Sequence, residues 1–480
     1  MMDWTGKRVI VIGAARQGLA LARYLGSHGA RVVINDQKPS EQLQDARGLL
    51  SDLDGQISAR IDWSCGGHPM DLLAGADLVC PSGGVPFDLP LVAEAVRRGI
   101  PVSNDSQIFL EACPCKTIGI TGSAGKTTTT TLVGKIAETT INSPGEKSLY
   151  RKVWVGGNIG VPLLSMLEQM ESGDLAVMEL SSFQLEVMTR SVDIACVLNI
   201  TPNHLDRHSS MEAYVAAKRR ILEFQASESA AVLGFDDPGA RNLMGIIQGK
   251  GYTFGMEIPP LGMMGVYIEG EWLCLWDGKE TTQILRVDHI QLRGWHNVEN
   301  VMAACAISQA ANLPVGAMRE AIRTFTGVPH RLEWVSSWRG VDWYNDSIAT
   351  APERVTAAIH SFDSPTDRYR PIVLLAGGRD KKLPWDELAG LIHQRVEHLI
   401  LFGEAAGLIA ESVGDPKPTT RPYSIDLCKG LEQAVKLAAQ LAEPGDIVLL
   451  SPGGTSFDEF RDFEQRGEAF KRWVCNLSCM

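Results

Sequence analysis

The chain has 480 residues, which is enough for about three domains that each bury a core of their own. Apolar residues make up 45% and charged residues 21%, as in ordinary globular proteins, and no apolar run reaches the roughly 20 residues of a membrane span. The formal net charge of −12, without any run of Lys or Arg, argues against a nucleic-acid partner, because phosphate contact needs a basic surface.

The first block begins with a predicted strand, Arg8–Ile12, and the segment before it is not expected to be a signal peptide. A glycine turn at 13–18, a helix through about Ser27, a second strand over Ala30–Ile34 and then Asp36 complete a βαβ beginning of the nucleotide-binding type. Ala15 stands where the middle glycine of GxGxxG belongs, so a dinucleotide pyrophosphate would be crowded. This pattern favours a smaller nucleotide, or a degenerate Rossmann-like fold, over NAD.

Ten cysteines are scattered along the chain. The close pairs are Cys113-Pro-Cys115 and Cys475 with Cys479, and neither has the partners of a zinc finger. The pattern therefore predicts reduced thiols in a cytosolic protein.

A phosphate-binding loop is predicted at 116–131, KTIGITGSAGKTTTTT. An apolar strand at Thr117–Ile120 runs into small residues, then Lys126 and a row of threonines that opens a helix. Small residues let backbone N–H groups surround a phosphate, and the helix adds its positive N-terminal end. Lys126 can reach the outer phosphates, and Thr127 or Thr128 can offer a hydroxyl to Mg²⁺. Ile120 replaces the first glycine of the general P-loop pattern, but the sequence still predicts a nucleoside triphosphate site.

Strands and helices continue to alternate after this loop, and a third block opens at Thr326. The further predictions are strands at Asp174–Leu180, Ile194–Ile200, Ile372–Ala376, His398–Phe402 and Asp446–Ser451, a helix at Met211–Phe224, a β-rich section at 251–292 and a helix near Asn297.

Polar clusters follow apolar strands at five places, beginning at Glu179, Thr201, Asn345, Gly377 and Ser451, which suggests a cleft shared between two domains. The separate residues allow more than one interpretation. Glu179 is either a capping or solvated carboxylate or a Mg²⁺ ligand, and His204 is either a core or surface histidine or a ligand. Lys218 by itself looks like an exposed helical lysine, and Asn297 looks like a helix cap. Asn300 more plausibly faces a base or ribose.

Nine motifs in order carry a resemblance to the Mur ligase family of ATP-dependent amino-acid ligases, over nearly the full length. They are TGSAGKTT at 121–128, GGNIG at 156–160, ELSSFQLE at 179–186, LNITPNHLDRH at 198–208, AAK at 216–218, the WHN..N group at 295–300, GVPHRLE at 327–333, NDSIAT at 345–350 and LSPGGTSFDEFRDFEQRG at 450–467.

The resemblance implies a reaction in which ATP and two Mg²⁺ ions phosphorylate the carboxylate of a UDP-linked substrate, after which an amino acid attacks the acyl phosphate. Lys126 would then hold the β- and γ-phosphates and Thr127 and Glu179 would hold Mg²⁺. His204 would lie near the second metal ion and the substrate, and Lys218 would be a carbamylated metal ligand. The residues implied for ATP are Gly122, Ser123, Ala124, Gly125, Lys126, Thr127, Thr128, Asn300, Arg331 and Asp346.

The resemblance also implies two substrate sites. The residues implied for the UDP substrate are Gly13, Ala14, Ala15, Asp36, Ser82, Gly83 and Asn158, with Asn104 and Asp105 nearby, and those implied for the amino acid are Thr350, Lys381, Ser456 and Phe463. Two positions depart from the pattern of many D-glutamate ligases. Ile348 stands where they have Lys, and Arg379 stands where an acid often sits.

These observations predict an α/β protein with an N-terminal Rossmann-like UDP domain (1–111), a central P-loop ATPase-like domain (112–325) and a C-terminal Rossmann-like amino-acid domain (326–480). The resemblance implies an activity that adds glutamate, with D-glutamate as the expected form, to UDP-N-acetylmuramoyl-L-alanine in peptidoglycan precursor synthesis. The alternatives are L-glutamate or another amino acid, folylpolyglutamate synthase chemistry, or a P-loop switch protein. We expect a monomer in the bacterial cytoplasm, with small-molecule substrates and neither a nucleic-acid nor a membrane partner.

Overall fold

The computed structural model of the chain describes residues 3–143, 148–202, 208, 210–292, 294–363, 370–381, 383–416 and 420–477. These residues form two compact units. The first comprises Met1–Gln291 with Trp295–Phe325, and the second comprises Leu292–Gly294 with Thr326–Met480. The first unit contains two β-sheets and the second contains one, within the described ranges.

The N-terminal sheet of the first unit is fully parallel, with the order β3-β2-β1-β4. Its strands are β1 (Arg8–Ile12), β2 (Arg31–Asp36), β3 (Ile61–Cys65) and β4 (Leu78–Pro81), and its helices are α1 (Arg16–Ser27), α2 (Gln44–Gly48), α3 (Gly55–Ser58), α4 (Pro90–Arg97) and α5 (Asp105–Ala112). The apolar runs of β1 and β2 are buried because helices cover the sheet, as parallel sheets require.

The central sheet has the order β13-β12-β11-β10-β9-β8-β5-β7-β6 and is parallel except at the β11, β12, β13 end. Its strands are β5 (Lys116–Thr121), β6 (Val153–Gly157), β7 (Leu175–Glu179), β8 (Ile194–Val197), β9 (Ala230–Gly234), β10 (Lys250–Gly255), β11 (Met264–Glu269), β12 (Trp272–Trp276) and β13 (Thr281–Arg286). Its helices are α6 (Lys126–Asn142), α7 (Ser182–Leu185), α8 (Met211–Glu223), α9 (Pro238–Arg241), α10 (Trp295–Ala310) and α11 (Val315–Thr324).

The register of this sheet aligns the carboxyl ends of β5, β7 and β8, which lie next to the polar residues. Ile120 of β5 pairs with Glu179 of β7, and Thr121 pairs with Val197 of β8. The carboxyl ends of three neighbouring strands therefore meet beside the loop that follows β5, where ligands bind in open α/β sheets.

The second unit has one sheet, with the order β14-β15-β19-β16-β17-β18, in which only the β14–β15 pair is antiparallel among the described strands. Its strands are β14 (Glu333–Trp338), β15 (Val341–Asn345), β16 (Ile372–Gly377), β17 (Val396–Phe402), β18 (Ser424–Cys428) and β19 (Ile447–Gly453), and its helices are α12 (Pro352–His360), α13 (Asp386–Arg395), α14 (Ala406–Val413), α15 (Leu431–Leu441) and α16 (Phe463–Leu477). The predicted α/β class is confirmed, and parallel strand pairs dominate the sheets of the described residues.

None of the helices described here is both long enough and apolar enough to cross a membrane.

Candidate functional site

The loop between β5 and α6 has the backbone of a phosphate cradle. Gly125, at the N-cap of α6, has φ +83°, and a Cβ at this position would overlap Oδ1 of Asn300. Because the first N–H groups of a helix have no partner within the helix, α6 presents donors to an anion at this end. The residues therefore fit a bound phosphate, and Gly125 is required by both its backbone angle and its neighbour.

Asn199 fixes the shape of this loop, a role that sequence reasoning missed. Its carbonyl accepts the N–H of Ser123 at 2.9 Å, and its side-chain oxygen accepts the N–H of Ala124 at 2.9 Å. Asn199 stands inside the LNITPN segment just after β8, so a polar residue following a buried strand was the available signal.

Lys126 folds over the loop that precedes it. Its Nζ donates to the carbonyl oxygens of Gly122 at 2.7 Å and Ser123 at 3.2 Å. The ammonium thus lies above the cradle, where it can exchange carbonyl oxygens for phosphate oxygens.

Thr127 and Glu179 form a pair of oxygen donors next to Lys126. The Thr127 hydroxyl donates to Oε2 of Glu179 at 2.8 Å, and Nδ2 of Asn158 donates to Oε1 at 3.1 Å. Glu179 is buried, so it is not the solvated carboxylate that was one of its two interpretations. A hydroxyl and a carboxylate are hard oxygen ligands of the kind that Mg²⁺ prefers, so this donor set fits the ion. Thr128, the next residue, is also buried.

Lys218 is buried, and its interpretation as an exposed helical lysine is wrong. Only 1% of its surface is exposed, and its Nζ donates to the carbonyl of Gly122 at 2.9 Å. The same Nζ lies 4.6 Å from the ring centroid of Tyr214, whose hydroxyl is 3.0 Å from Ser123 Oγ. Burial, and secondarily the charge of Lys126, holds the pKa of Lys218 well below its usual value. The burial of Lys218 could not be predicted from the AAKRR segment, because buried and exposed residues are neighbours within one turn of a helix.

His204, which the resemblance implied as a metal neighbour, lies outside the described residues. In the described ranges of the chain, no three His, Cys, Asp or Glu side chains cluster as a metal site would require. Thr127 and Glu179 are therefore the metal-type donors that can be placed.

Asn297 is not a helix cap, because α10 already begins at Trp295. Its side-chain oxygen instead accepts from Nδ2 of Asn300 at 3.1 Å. The oxygen of Asn300 accepts a weak bond from Thr129 at 3.5 Å, in the first turns of α6. Asn300 is thus placed against the phosphate loop, on a helix that packs on α6.

The N-terminal turn forms a second cradle at the carboxyl end of its own sheet. Gly13 has φ +99°, Ala15 precedes α1, and the hydroxyl of Ser82 donates to the Gly13 carbonyl at 3.2 Å. Asp36 accepts the N–H of Ala14 at 2.8 Å through one oxygen and that of Lys38 at 2.9 Å through the other. The carboxylate of Asp36, which the resemblance implies for the UDP substrate, therefore also holds the turn.

This turn is tied to the central sheet within the same unit. Gln17 donates to the carbonyl of Gly157 at 3.2 Å, and a Cβ at Gly83 would lie 3.3 Å from Oε1 of Gln17. Asn104 donates to the carbonyl of Gln184 at 2.7 Å. The predicted UDP residues and Asn158 are thereby part of one folded unit.

In the second unit, Asp346 is buried at the end of β15. Its carboxylate accepts from the Ser451 hydroxyl at 2.8 Å and from the N–H of Leu332 at 3.2 Å. Burial raises the pKa of Asp346 to about 7, although these bonds and the nearby charge of Arg331 lower it in part. The structure therefore brings Asp346 close to Arg331, which is another of the residues that the resemblance implied for ATP.

Thr350 and Lys381, both predicted for the amino acid, lie together. Nζ of Lys381 donates to the Thr350 hydroxyl at 3.1 Å. Arg379, in contrast, forms a two-pronged ion pair with Glu404 at 2.9 and 3.0 Å, on the surface. The extra cation at 379 is thus engaged by an acid of this chain.

Arg466 supports the remaining predicted residues and was missed by sequence reasoning. It is fully buried in α16 and donates to the hydroxyl and carbonyl of Ser347 and to the carbonyl of Gly454. The Ser347 hydroxyl in turn donates to the carbonyl of Phe463 at 2.7 Å, and Ser456, two residues after Gly454, is also buried. A charged residue in the FRDFEQRG segment gave no signal of its burial.

Three family models match the chain in order. The "Mur ligase MurD-like, N-terminal domain" matches residues 7–104, the "Mur ligase middle domain" matches 120–308, and the "Mur ligase, glutamate ligase domain" matches 330–454.

Curated relatives match the chain over nearly its full length, and two of them serve as examples. The UDP-N-acetylmuramoylalanine–D-glutamate ligase of Symbiobacterium thermophilum is 40% identical over 475 residues, which is 98% of both chains. The protein of the same name from Acetivibrio thermocellus is 38% identical over 475 residues, covering 98% of this chain and 97% of its own.

Among solved structures, the UDP-N-acetylmuramate-alanine ligase MurC of Thermotoga maritima resembles the chain with a TM-score of 0.54 and 18% identity. The match covers 98% of this chain and 99% of the other. At that identity the likeness concerns the fold alone.

Proposed function

Because this chain belongs to the Mur ligase family, we propose that it is an ATP-dependent ligase that joins D-glutamate to UDP-N-acetylmuramoyl-L-alanine, a step of peptidoglycan precursor synthesis. The observation that carries the proposal is the Thr127–Glu179 oxygen pair, with a separation of 2.8 Å, beside a loop built to hold phosphate. We assign residues 1–111 to the UDP substrate, 112–325 to ATP and 326–480 to the amino acid.

The reaction requires charge neutralisation and alignment more than covalent help from the protein. The acceptor carboxylate takes the γ-phosphoryl group of ATP, giving ADP and an acyl phosphate, and the amine of glutamate then displaces phosphate. Lys126 and the N-terminal end of α6 stabilise negative charge on the outer phosphates. Asn199 keeps the loop in shape, and the closeness of Asn300 leaves room only for a glycine at 125.

Thr127 and Glu179 would hold a Mg²⁺ ion against the phosphates. A bound divalent ion supplies positive charge where the anionic nucleotide and carboxylate meet. Asn158 orients Glu179 through its second oxygen. The family's second ion would draw on His204, as the resemblance implies, and on a modified Lys218.

We propose that Lys218 carries a carbamate in the active protein. Its amine is buried, its pKa is lowered well below the usual value, and the like charge of Lys126 disfavours a second ammonium. Addition of CO₂ to the neutral amine forms an N–C bond, releases one proton and leaves an anion that Lys126 and Mg²⁺ attract. Protein incubated with ¹³C-bicarbonate should show a carbamate resonance that Lys218→Arg lacks. A spectrum identical in the two proteins would contradict the assignment.

Thr350 and Lys381 are the groups we assign to glutamate. A lysine and a hydroxyl 3.1 Å apart can share one carboxylate through charge-assisted hydrogen bonds. Because Ile348 stands where many D-glutamate ligases have Lys, we assign the positive charge that binds the carboxylate to Lys381. Arg379 is not assigned to it, because its guanidinium is paired with Glu404. We propose D-glutamate as the substrate because the relatives are named as D-glutamate ligases, and L-glutamate is the alternative.

The decisive experiment measures phosphate release from ATP while each substrate is omitted in turn. A ligase requires both the UDP-muramoyl-alanine and glutamate, and D-glutamate should support turnover where L-glutamate does not. Preference for L-glutamate would keep the ligase and reverse the stereochemistry. ATP hydrolysis that proceeds at full rate without either substrate would identify a nucleotide switch and reject the ligase.

We also propose that the protein acts as a monomer in the bacterial cytoplasm, where its small polar substrates occur. Light scattering coupled to gel filtration should give one chain mass, and a dimer mass at the concentrations used in the assay would overturn this.

A further inference from the structure

The tripeptide Cys113-Pro114-Cys115 connects the last helix of the N-terminal sheet to the central strand β5. The N–H of Cys113 donates to the carbonyl of Phe109 at 2.8 Å, which ends α5. Just beyond Cys115, the backbone and hydroxyl of Thr117 donate to one oxygen of Asp193 at 2.7 and 2.8 Å. The connector is therefore anchored at both ends, and the other end of β5 leads into the phosphate loop.

The two sulfur atoms of this connector are in contact. Sγ of Cys113 lies 3.5 Å from Sγ of Cys115. Pro114 is exposed and Cys113 is partly exposed, whereas Cys115 has only 8% of its surface exposed. Cys113 is thus the residue of the pair that a reagent from solvent can reach, and its sulfur touches that of the buried Cys115.

The contact also favours a thiolate on the outer sulfur. The pKa of Cys113 is lowered, mainly because the Cys115 thiol donates to it, although burial and the charges of Asp193 and Asp174 oppose this. The pKa of Cys115 is raised by the same contact and by burial. Burial also raises the pKa of the fully enclosed thiols Cys80, Cys196 and Cys305.

We propose that Cys113 and Cys115 form a redox-active dithiol that low-molecular-weight disulfides convert to an intramolecular disulfide. The Cys113 thiolate attacks one sulfur of the reagent, whose S–S bond breaks and releases one thiol after protonation. The Cys115 thiol then loses its proton, its sulfur attacks Sγ of Cys113, and the mixed disulfide releases the second thiol. The protein loses two electrons and two protons, and the reagent becomes two thiols.

Closure needs little movement of the chain. The distance between the two sulfur atoms must fall from 3.5 Å to about 2 Å, the length of an S–S bond. Rotation of the two side chains can account for part of this approach. Pro114 restricts the connector between the two cysteines and so lowers the entropy lost on closure. The product locks the junction between the two sheets of the first unit, without involving any substrate of the ligase reaction.

Glutathione disulfide, added to the full-length protein under native conditions, tests the proposal. Trypsin cleavage after Arg98 and Lys116 isolates a peptide, 99–116, whose cysteines are Cys113 and Cys115 alone. We expect this peptide to lose two hydrogens in mass and to regain them with dithiothreitol. Cys115→Ser should instead keep one glutathionyl group on Cys113, and Cys113→Ser should leave the buried Cys115 unmodified.

The accessible cysteines outside the connector serve as internal controls. Cys65 is partly exposed and Cys475 is exposed, so both report whether the reagent was active. Glutathionylation of Cys65 or Cys475 with an unchanged peptide 99–116 would overturn the proposal, as would a stable mixed disulfide on Cys113 of the unaltered protein. Thermal unfolding of each Ser variant verifies that it is folded before the reaction is scored.

Discussion

The hydroxyl of Thr127 and the Oε2 atom of Glu179 lie 2.8 Å apart, although 52 positions separate them in the chain. The parallel register of β5 and β7 produces this contact, because it places Ile120 opposite Glu179 and so aligns the two strand ends. Asn158 completes the arrangement by holding the other oxygen of Glu179 at 3.1 Å.

Replacing Asn158 by Ala should weaken Mg²⁺ binding. Loss of the bond to Oε1 frees the Glu179 carboxylate to rotate, and changes in such supporting residues cost roughly 10- to 100-fold in metal affinity. The measurement is the Mg²⁺ concentration for half-maximal activity at saturating substrates. If only the KM for the UDP substrate rises, Asn158 acts on that substrate alone and the link to Glu179 is wrong.

Gly125→Ala should abolish tight ATP binding, and Gly262→Ala provides its matched control. The two glycines have φ values of +83° and +84°, so both substitutions carry about 1–2 kcal/mol of backbone strain. A Cβ at 262 has nothing within 4 Å, whereas one at 125 would overlap Asn300 and displace the loop. Calorimetric titration with ATP should separate the variants, and Gly125→Ala should also lose more unfolding free energy than Gly262→Ala because the steric overlap adds to the shared backbone strain. Equal ATP affinity in both would remove the steric argument.

Lys218→Met should eliminate activity yet stabilise the fold at neutral pH. The native pKa of Lys218 lies well below the 10.5 of the unfolded chain, so between these values the unfolded state binds a proton that the native state does not. The free energy of unfolding of the unaltered protein therefore rises with pH in this window, and the advantage of the Met variant shrinks. Urea unfolding in CO₂-free buffer from about pH 7 to 10 measures this, with the exposed Lys250→Met as control. A difference that stays constant with pH would contradict the buried lysine.

Asp346→Asn should be more stable than the unaltered protein above neutral pH. The pKa of Asp346 is about 7 when folded and 3.8 in the reference state, so the native state binds the extra proton between these values. Stability of the unaltered protein hence falls as pH rises through that window, and the Asn variant lacks this slope. When the unfolding free energies of the Asn variant and the unaltered protein are measured from pH 4 to 8, the two values should converge at the acid end of the range.

Asp342→Asn is the control for Asp346, with the opposite sign. Burial raises the pKa of Asp342, but the Arg370 guanidinium at 2.7 Å outweighs it and the pKa is lowered overall. This variant should lose stability at neutral pH and approach the unaltered protein only as pH falls below about 3.8. The same slope for both variants would show that the Asp346 site is not the cause.

Lys381→Met should raise the KM for glutamate and leave the KM for ATP unchanged. Loss of a hydrogen bond from a charged group costs about 1.5–3 kcal/mol, which corresponds to roughly 10- to 100-fold. Arg379→Ala should change the KM for glutamate by less than Lys381→Met does, because the Arg379 guanidinium is already paired with Glu404. Steady-state kinetics with varied glutamate distinguishes the two. A larger effect at Arg379 than at Lys381 would exchange their assignments.

Much of the fold followed from local patterns. Strand β1 has the predicted bounds Arg8–Ile12, and β5, β7 and β16 differ from prediction by one residue at some ends. Predicted strand Ile194–Ile200 was too long, because the chain leaves the sheet after Val197 so that Asn199 can bind the phosphate loop. An apolar run shows that a segment is buried, but it does not show where pairing stops.

The sequence by itself determined the local geometry of the loop that precedes α6. A strand, small residues, Lys126 and Thr127 are contiguous, so their arrangement depends on short-range geometry that each residue carries with it. In the structure Lys126 lies over the carbonyl oxygens of this loop and Thr127 lies beside Glu179, and their roles toward ATP and Mg²⁺ stay predictions.

Only the tertiary structure decided what surrounds each functional group. Lys218 is buried rather than exposed, Arg379 is paired with Glu404, and the sulfur atoms of Cys113 and Cys115 touch. Burial and pairing depend on segments brought together by sheet register and helix packing, and these set the desolvation and charge that shift a pKa. A linear spacing holds no such information, because the same lysine in a helix is neutralised or solvated according to what packs against it.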